Sequence, residues 1–250
     1  MSLLHKLKNK FIPSIAELGP AAAYDIWSGS YDEQPGNLML DLDNMIFSGL
    51  LEKLSLKGKV AVDIGCGTGR HWPAILQHKP AKLLGYDVSS GMLSRLKEKF
   101  PSAETYQLQG NELASTADES CDIVISTLAL AHIENVGDAL KEWSRILKKN
   151  GDIIITDYHP EAFKKGADRT FLSGGQTIAI KNYIHDIETV LGLLKGFGFD
   201  LLHIEEHKVG DDMRHYYETR KAIHVFEKFK GIPIIYGAWL KKKDVTDRAC

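Results

Sequence analysis

Val60-Ala-Val-Asp-Ile-Gly-Cys-Gly-Thr-Gly-Arg70 is an apolar run that meets an acid, Asp63, and then three alternating glycines, Gly65, Gly67 and Gly69. A helix pattern opens just beyond at Trp72-Pro73, where proline is tolerated in the first turn. Strand, glycine loop and helix in that order bring backbone N–H groups and a helix N-terminus to the carboxyl end of a strand, a place suited to a ligand. A second run, Leu83–Asp87, ends in Asp87, where an acid accepts hydrogen bonds from ribose hydroxyls. The loop is spaced GxGxG, and Arg70 stands where the dinucleotide pattern GxGxxG has its last glycine. A pyrophosphate cradle is therefore not expected. Asp87 read without a ligand would simply cap the helix that follows Ser89-Ser90.

Outward from this stretch, short β-branched runs alternate with helical patterns, which predicts an α/β parallel sheet. The strands expected are Val60–Ile64, Leu83–Asp87, Asp122–Ser126 and Ile153–Asp157. Leu93, Leu96 and Phe100 mark one helix between them. Val136, Ala139, Leu140, Trp143, Ile146 and Leu147 mark another, ending in Lys148-Lys149-Asn150-Gly151 with Gly151 as its cap. Leu42, Met45, Ile46, Leu50 and Leu54 place a helix before the first strand. Later, residues 159–184 read as a connector, Asp186–Lys195 as a helix and Phe199–Glu205 as a strand. Asp212–Lys230 reads as one amphipathic helix and Ile232–Leu240 as a final strand. The division expected is a single domain over 1–250: an N-terminal lid and helix (1–55), a cofactor-binding core (56–205), and a cap helix with the last strand (206–250).

Lys and Arg number 31 against 33 Asp and Glu, a balance that argues against a dedicated nucleic-acid binder. The apolar runs are too short for stable membrane insertion. The basic start, with Lys6, Lys8 and Lys10 among Leu4, Leu7 and Phe11, carries no secretory signal pattern and reads as a solvated arm. Cys66, Cys121 and Cys250 form neither a CxxC pair nor a disulfide framework, so a reducing cytoplasm is expected. Nothing in the sequence speaks to oligomeric state.

On these motifs the chain resembles the class I S-adenosylmethionine-dependent methyltransferases, in the small-molecule, ubiquinone/menaquinone-methyltransferase-like (type 11) branch. The likeness covers roughly residues 20–205. It implies a Rossmann-like seven-stranded sheet, mostly parallel with an antiparallel last strand, and helices on both faces. The cofactor implied is S-adenosylmethionine, with S-adenosylhomocysteine as product. Asp63, Gly65, Gly67 and Gly69 would cradle its methionyl part, and Asp87 its ribose. Gly110, Asn111 and Glu112 fall where the family contacts adenine, with Asn111 in place of an aspartate. Cys66, Val88, Met92, Ser126 and Leu128 flank these motifs and join the expected cofactor set. Tyr24, Trp27 and Tyr31 resemble the family's tandem Tyr-Asp lid segment, where aromatic faces suit a sulfonium cation. Ser126-Thr-Leu-Ala stands where amide and adenine N-methylating relatives carry an NPPY-like tetrad, so those acceptors are disfavoured.

The acceptor is expected above the fourth and fifth strands. His132, just past the fourth, is the candidate general base, titrating near 6.5, though it could instead cap the next helix. Tyr158, His159, His185, Met213, Tyr216 and Tyr217 complete the expected acceptor set, the last three on the cap helix. Asp157, His159 and His185 lack a metal-site spacing, and no metal is expected. The function expected is methyl transfer to a small-molecule O, N or C atom. A non-catalytic methyltransferase-like binding protein and an NAD-dependent dehydrogenase are the alternatives.

Overall fold

The computed structural model describes residues 16–244. The basic arm at residues 4–11 and Cys250 lie outside the described residues. In chain order the elements are β1 (Ala16–Leu18), α1 (Pro20–Trp27), α2 (Leu38–Leu51), β2 (Val60–Ile64), α3 (Trp72–Gln77), β3 (Lys82–Asp87), α4 (Ser90–Lys99) and β4 (Glu104–Gln107). Then come β5 (Cys121–Thr127), a 3-10 turn (Leu130–His132), α5 (Val136–Ile146), β6 (Leu147–Tyr158), α6 (Pro160–Lys164), β7 (Thr170–Ser173) and β8 (Gln176–Ile180). The chain closes with α7 (Ile187–Gly196), β9 (Phe199–Lys208), α8 (Arg214–Thr219), α9 (Ile223–Phe229) and β10 (Pro233–Lys242).

The main sheet has seven strands in the order β4-β3-β2-β5-β6-β10-β9. All neighbours are parallel except β10, which slots antiparallel between β6 and β9. A parallel sheet must be covered on both faces, and the central strands read accordingly. Ile123 and Ile125 of β5 enter one core with Ile46, Phe47 and Leu50 of α2, while Val124 enters the other with Leu140 and Trp143 of α5. Running β2→β3→β4 outward and then back to β5 reverses the strand order between β2 and β5. The crevice at their carboxyl ends is the topological switch point, where open α/β sheets bind ligands.

Three expectations about the chain's course change. Residues 159–184 are no plain connector: α6 is followed by a β7–β8 hairpin turned by Gly174-Gly175, both at positive φ as a two-residue hairpin turn requires. β8 also pairs in parallel with β1, so a second sheet, β1-β8-β7, joins two segments far apart in sequence. The cap is not one helix over 212–230 but a 3-10 turn (Asp211–Met213) and two short helices, α8 and α9, broken near Lys221 at φ 55°. Finally, α5 ends at Ile146 and β6 begins at once; the left-handed residue of that turn is Asn150, not Gly151. Among the described residues no helix is long and apolar enough to cross a membrane.

Candidate active site

The glycine loop leaves β2 with each glycine set by a different contact. Gly65 has φ 76°, and a Cβ there would lie 2.3 Å from the Cβ of Ala129, so it lets the β2 and β5 loops meet. Gly69 packs on Leu96 and Phe100. Gly67, at φ 53°, has nothing within 4 Å of its missing Cβ and lines the cleft, the one glycine of the three whose open side faces a possible ligand. Its N–H donates to Asp87 Oδ2 at 2.8 Å, and Ser89 N–H donates to Asp87 Oδ1 at 2.8 Å. The capping and ligand readings of Asp87 thus coexist: the carboxylate fastens loop to helix and still lines the cleft with lone pairs to spare.

Burial raises three carboxyls around this loop. Asp63 rises to about 7, Asp87 to about 6 and Asp157 to about 6. Asp63 lies below the cleft wall, accepting from Trp72 Nε1 at 2.9 Å through Oδ2, while its buried Oδ1 has no partner among the described residues. Asp157 accepts from the Ala131 and Tyr158 N–H groups, both at 2.7 Å, and so anchors the turn after β5. Asp43 of α2 behaves oppositely. Burial would raise it, but His71 (Nε2 at 2.7 Å) and Arg70 hold it down at about 2, and Thr156 Oγ1 also bonds to it. That network fixes the end of the glycine loop to the sheet.

The first cleft, about 630 Å³ of space partly open to solvent, is lined by Tyr24, Tyr31, Gly65, Gly67, Asp87, Val88, Met92, Leu128 and His132, all expected from sequence. Ile64, Leu108, Thr127, Ala129, Ile133 and Arg169 line it without having been expected. An outer extension past Val88 and Leu108 reaches Gly110 and Asn111. Asn111 Nδ2 donates to the Asn135 carbonyl at 3.1 Å, leaving Oδ1 as an acceptor. Glu112 is exposed and lines neither cavity. Cys66 is buried in the core, its thiol pushed well above its ordinary pKa by burial, and does not reach the cleft. Ser126 is buried below the wall with Oγ unpartnered, and strand alternation presents Thr127 instead. Trp27 sits behind Tyr24, stacked on Phe171 with centroids 4.6 Å apart.

What binds the N-terminal segment is the acid of each Tyr-Asp pair, a feature that the aromatic reading missed. Asp25 accepts from Ser89 Oγ at 2.6 Å and from Gly91 N–H at 2.8 Å. Asp32 accepts from Thr68 Oγ1 in the glycine loop at 2.6 Å and from Lys99 at 2.9 Å. Ala23, Trp27 and Tyr31 then close a separate apolar cluster with Met92, Phe171 and Ile178.

His132 differs from the base expected. Burial and the Arg169 charge lower it to about 3. Nε2 lies 2.9 Å from Tyr24 Oη and 3.1 Å from Arg169 Nη1, while Nδ1 lies 3.2 Å from the Lys181 carbonyl. A carbonyl only accepts, so Nδ1 carries the proton and Nε2 accepts from the tyrosine and the guanidinium. The ring is neutral, and its lone pair already has two donors.

A second cleft, about 1110 Å³ and open to solvent, lies against the first with Arg169 in their common wall. Tyr158, Tyr216, Tyr217, Trp27, Met39 and Phe229 line it. Tyr216 donates to Asp41 at 2.7 Å. Three expected acceptor residues are elsewhere. His159 caps α6 by accepting from Glu161 N–H at 3.1 Å and faces Glu206. His185 Nε2–H donates to the Ile133 carbonyl at 2.7 Å. Met213 is core. Among the described residues no group of His, Cys, Asp and Glu is placed to hold a metal ion.

Residues 62–155 match the family model described as a methyltransferase domain. The sequence is 28% identical over 149 residues to a malonyl-[acyl-carrier protein] O-methyltransferase of Hamiltonella defensa, covering 60% of this chain and 55% of the relative. It is 28% identical over 135 residues to the ubiquinone/menaquinone biosynthesis C-methyltransferase UbiE of Campylobacter jejuni, covering 52% and 55%. The chain thus spans about half the length of these curated relatives. The fold is similar to an S-adenosylmethionine-dependent methyltransferase from Mesorhizobium loti, with TM-score 0.61, 20% identity and coverage of 78% and 96%. It is also similar to a putative methyltransferase from Haloferax volcanii seen in complex with its Trm112 activator, with TM-score 0.66, 17% identity and coverage of 90% and 97%. Residues 62–155 thus match a methyltransferase domain, and the fold is that of S-adenosylmethionine-dependent methyltransferases of known structure.

Proposed function

We propose that this chain transfers a methyl group from S-adenosylmethionine to a small organic acceptor held in the second cleft, releasing S-adenosylhomocysteine. The observation that carries the reading is the pairing of Gly67, whose open side lines the first cleft, with Asp87 at the switch point, wall to wall with an aromatic second cleft. The residues fit such a cofactor. Asp87 offers acceptors for a ribose diol, Val88, Leu108 and Ile133 an apolar slot for a base, and the Tyr24 and Tyr31 rings π-faces for a cation. When bound, S-adenosylmethionine supplies an electrophilic methyl on a sulfonium.

The chain's own part is then positioning. Asp87 and Gly67 set the cofactor's depth, α1 covers it, and the aromatic walls of the second cleft shed water from the acceptor. His132 is a hydrogen-bonding hub for Tyr24 and Arg169, with no free lone pair for proton removal. Relatives named for O- and C-methylation leave the accepting atom open. A cytoplasmic setting is in keeping with the buried free thiols Cys66 and Cys121, and a small-molecule acceptor with the size of the second cleft.

The test is calorimetric binding of S-adenosylhomocysteine to the wild type and to Asp87→Ala, with a metabolite extract supplied afterwards and product followed by mass spectrometry. Loss of the charged hydrogen bonds should weaken binding by ~1–3 kcal/mol in a folded variant. Unchanged affinity would remove the assignment of Asp87. Tight binding with no product from any extract would favour a binding protein.

A further inference from the structure

We propose that Arg169 reads a negative charge on the acceptor: the second cleft takes a small organic anion with an aromatic or apolar body, its anionic group seated against the guanidinium. The proposal rests on the methyl-transfer reading only in calling this ligand the acceptor.

Arg169 is 5% exposed, yet it forms no ion pair with a carboxylate among the described residues. Its Nη1 donates to the Leu128 carbonyl at 2.9 Å and to His132 Nε2 at 3.1 Å. Its guanidinium carbon stands 5.5 Å from the Tyr24 ring centroid and 5.2 Å from that of Tyr158. The guanidinium therefore lies against two aromatic rings with one nitrogen spent. Nε and Nη2 donate to nothing among the described residues, and Arg169 lines both clefts.

A buried charge without a counter-charge is costly, and arginine keeps its charge at any accessible pH. The fork that remains free has the geometry to grip a carboxylate, phenolate or enolate. The other charges around this cleft do not supply the missing anion: Asp157, whose field favours the Arg169 charge, makes no ion pair with it and is held by the Ala131 and Tyr158 N–H groups. Asp168 is exposed at the rim, Asp41 is engaged by Tyr216, and Arg220 is a second exposed cation that donates to the Gly36 carbonyl at 3.0 Å. The first cleft is also suited to a cation. A guanidinium in the shared wall would repel it, and an anion lying between them removes that repulsion. Tyr158, Tyr217, Trp27 and Phe229 supply the apolar surroundings for the rest of the ligand.

The competing account makes Arg169 a mere staple for the Leu128 carbonyl. The probes that separate them are phenylacetate and its neutral isostere phenylacetamide, titrated by ligand-observed NMR into protein saturated with S-adenosylhomocysteine. The wild type should bind phenylacetate about tenfold or more tightly than phenylacetamide, the scale of one charged hydrogen-bond pair. In Arg169→Gln that preference should collapse, and in Arg169→Lys it should survive in part. A measurement on the wild type alone covers a variant that does not fold: the Arg169 Nε–Hε resonance should shift with phenylacetate and ignore phenylacetamide. Equal affinities, no phenylacetate binding, a preference that persists in Arg169→Gln, or an indifferent Arg169 resonance overturns the proposal. Failure of S-adenosylhomocysteine to bind would count against the methyl-transfer reading instead, and the probe preference of the cofactor-free protein would then decide the role of Arg169.

Discussion

Replacing Asp63 by asparagine should stabilise the ligand-free protein at neutral pH while weakening its hold on the cofactor. Asp63 is 3% exposed, bonded by Trp72 on one oxygen and unpartnered on the other, and burial carries it from 3.8 to about 7. The folded state therefore binds a proton that the unfolded chain has released between those two values. The stability linked to that proton is fully present below pH 3.8 and lost as pH rises through about 7. At 1.36 kcal/mol per unit, a shift of about three units amounts to about 4 kcal/mol across the window. Asparagine does not titrate there, keeps an oxygen for Trp72, and leaves an amide unsatisfied at a cost of ~1–3 kcal/mol. The variant should be level with or less stable than the wild type below about pH 4, and more stable above about pH 7.

The assay is urea unfolding of both proteins at several pH values, because the change in their difference cancels the unsatisfied amide. Calorimetry adds a second reading. S-adenosylhomocysteine carries an ammonium group and favours the ionised carboxyl, so wild-type affinity should climb more steeply between about pH 6 and 8 than that of the variant, in which Asp87, near 6, still titrates. Parallel stability profiles across that range would refute the assignment of a raised carboxyl at Asp63.

Three further outcomes are expected. Gly67→Val forces a β-branched residue to φ 53° and puts its side chain into the first cleft, so S-adenosylhomocysteine binding should be lost; a stable variant that still binds normally would show that this loop is no cradle. His132, held near 3, should show no protonation by NMR between about pH 5 and 8, and a titration near 6.5 would overturn the neutral-hub assignment. Asp25→Ala removes acceptors from Ser89 and Gly91, so hydrogen exchange over residues 16–36 should quicken and added S-adenosylhomocysteine should slow it again; unchanged exchange would mean that Asp25 does not tether a lid.

The part of this molecule legible from the sequence alone is the part whose contacts are local. Val60–Ile64, the alternating glycines and Asp87 lie within one β-loop-α-β unit, so spacing and side-chain chemistry suffice to place them at one sheet edge. The runs that become β5, β6 and β10 are equally legible, because a strand buried on both faces must be apolar throughout. The second cleft has no such signature. Its walls bring Trp27 and Met39 against Tyr216 and Phe229 across more than a hundred and fifty residues, and Arg169 lies in a stretch without periodicity, so nothing near it in sequence marks it as buried or unpaired. His132 makes the same point from the other side. Its position after β5 is readable, but its charge state is decided by Arg169 and by the Lys181 carbonyl, both brought in from the hairpin region. Desolvation and the placement of distant charges are properties of the packed chain, and only the tertiary structure decides them.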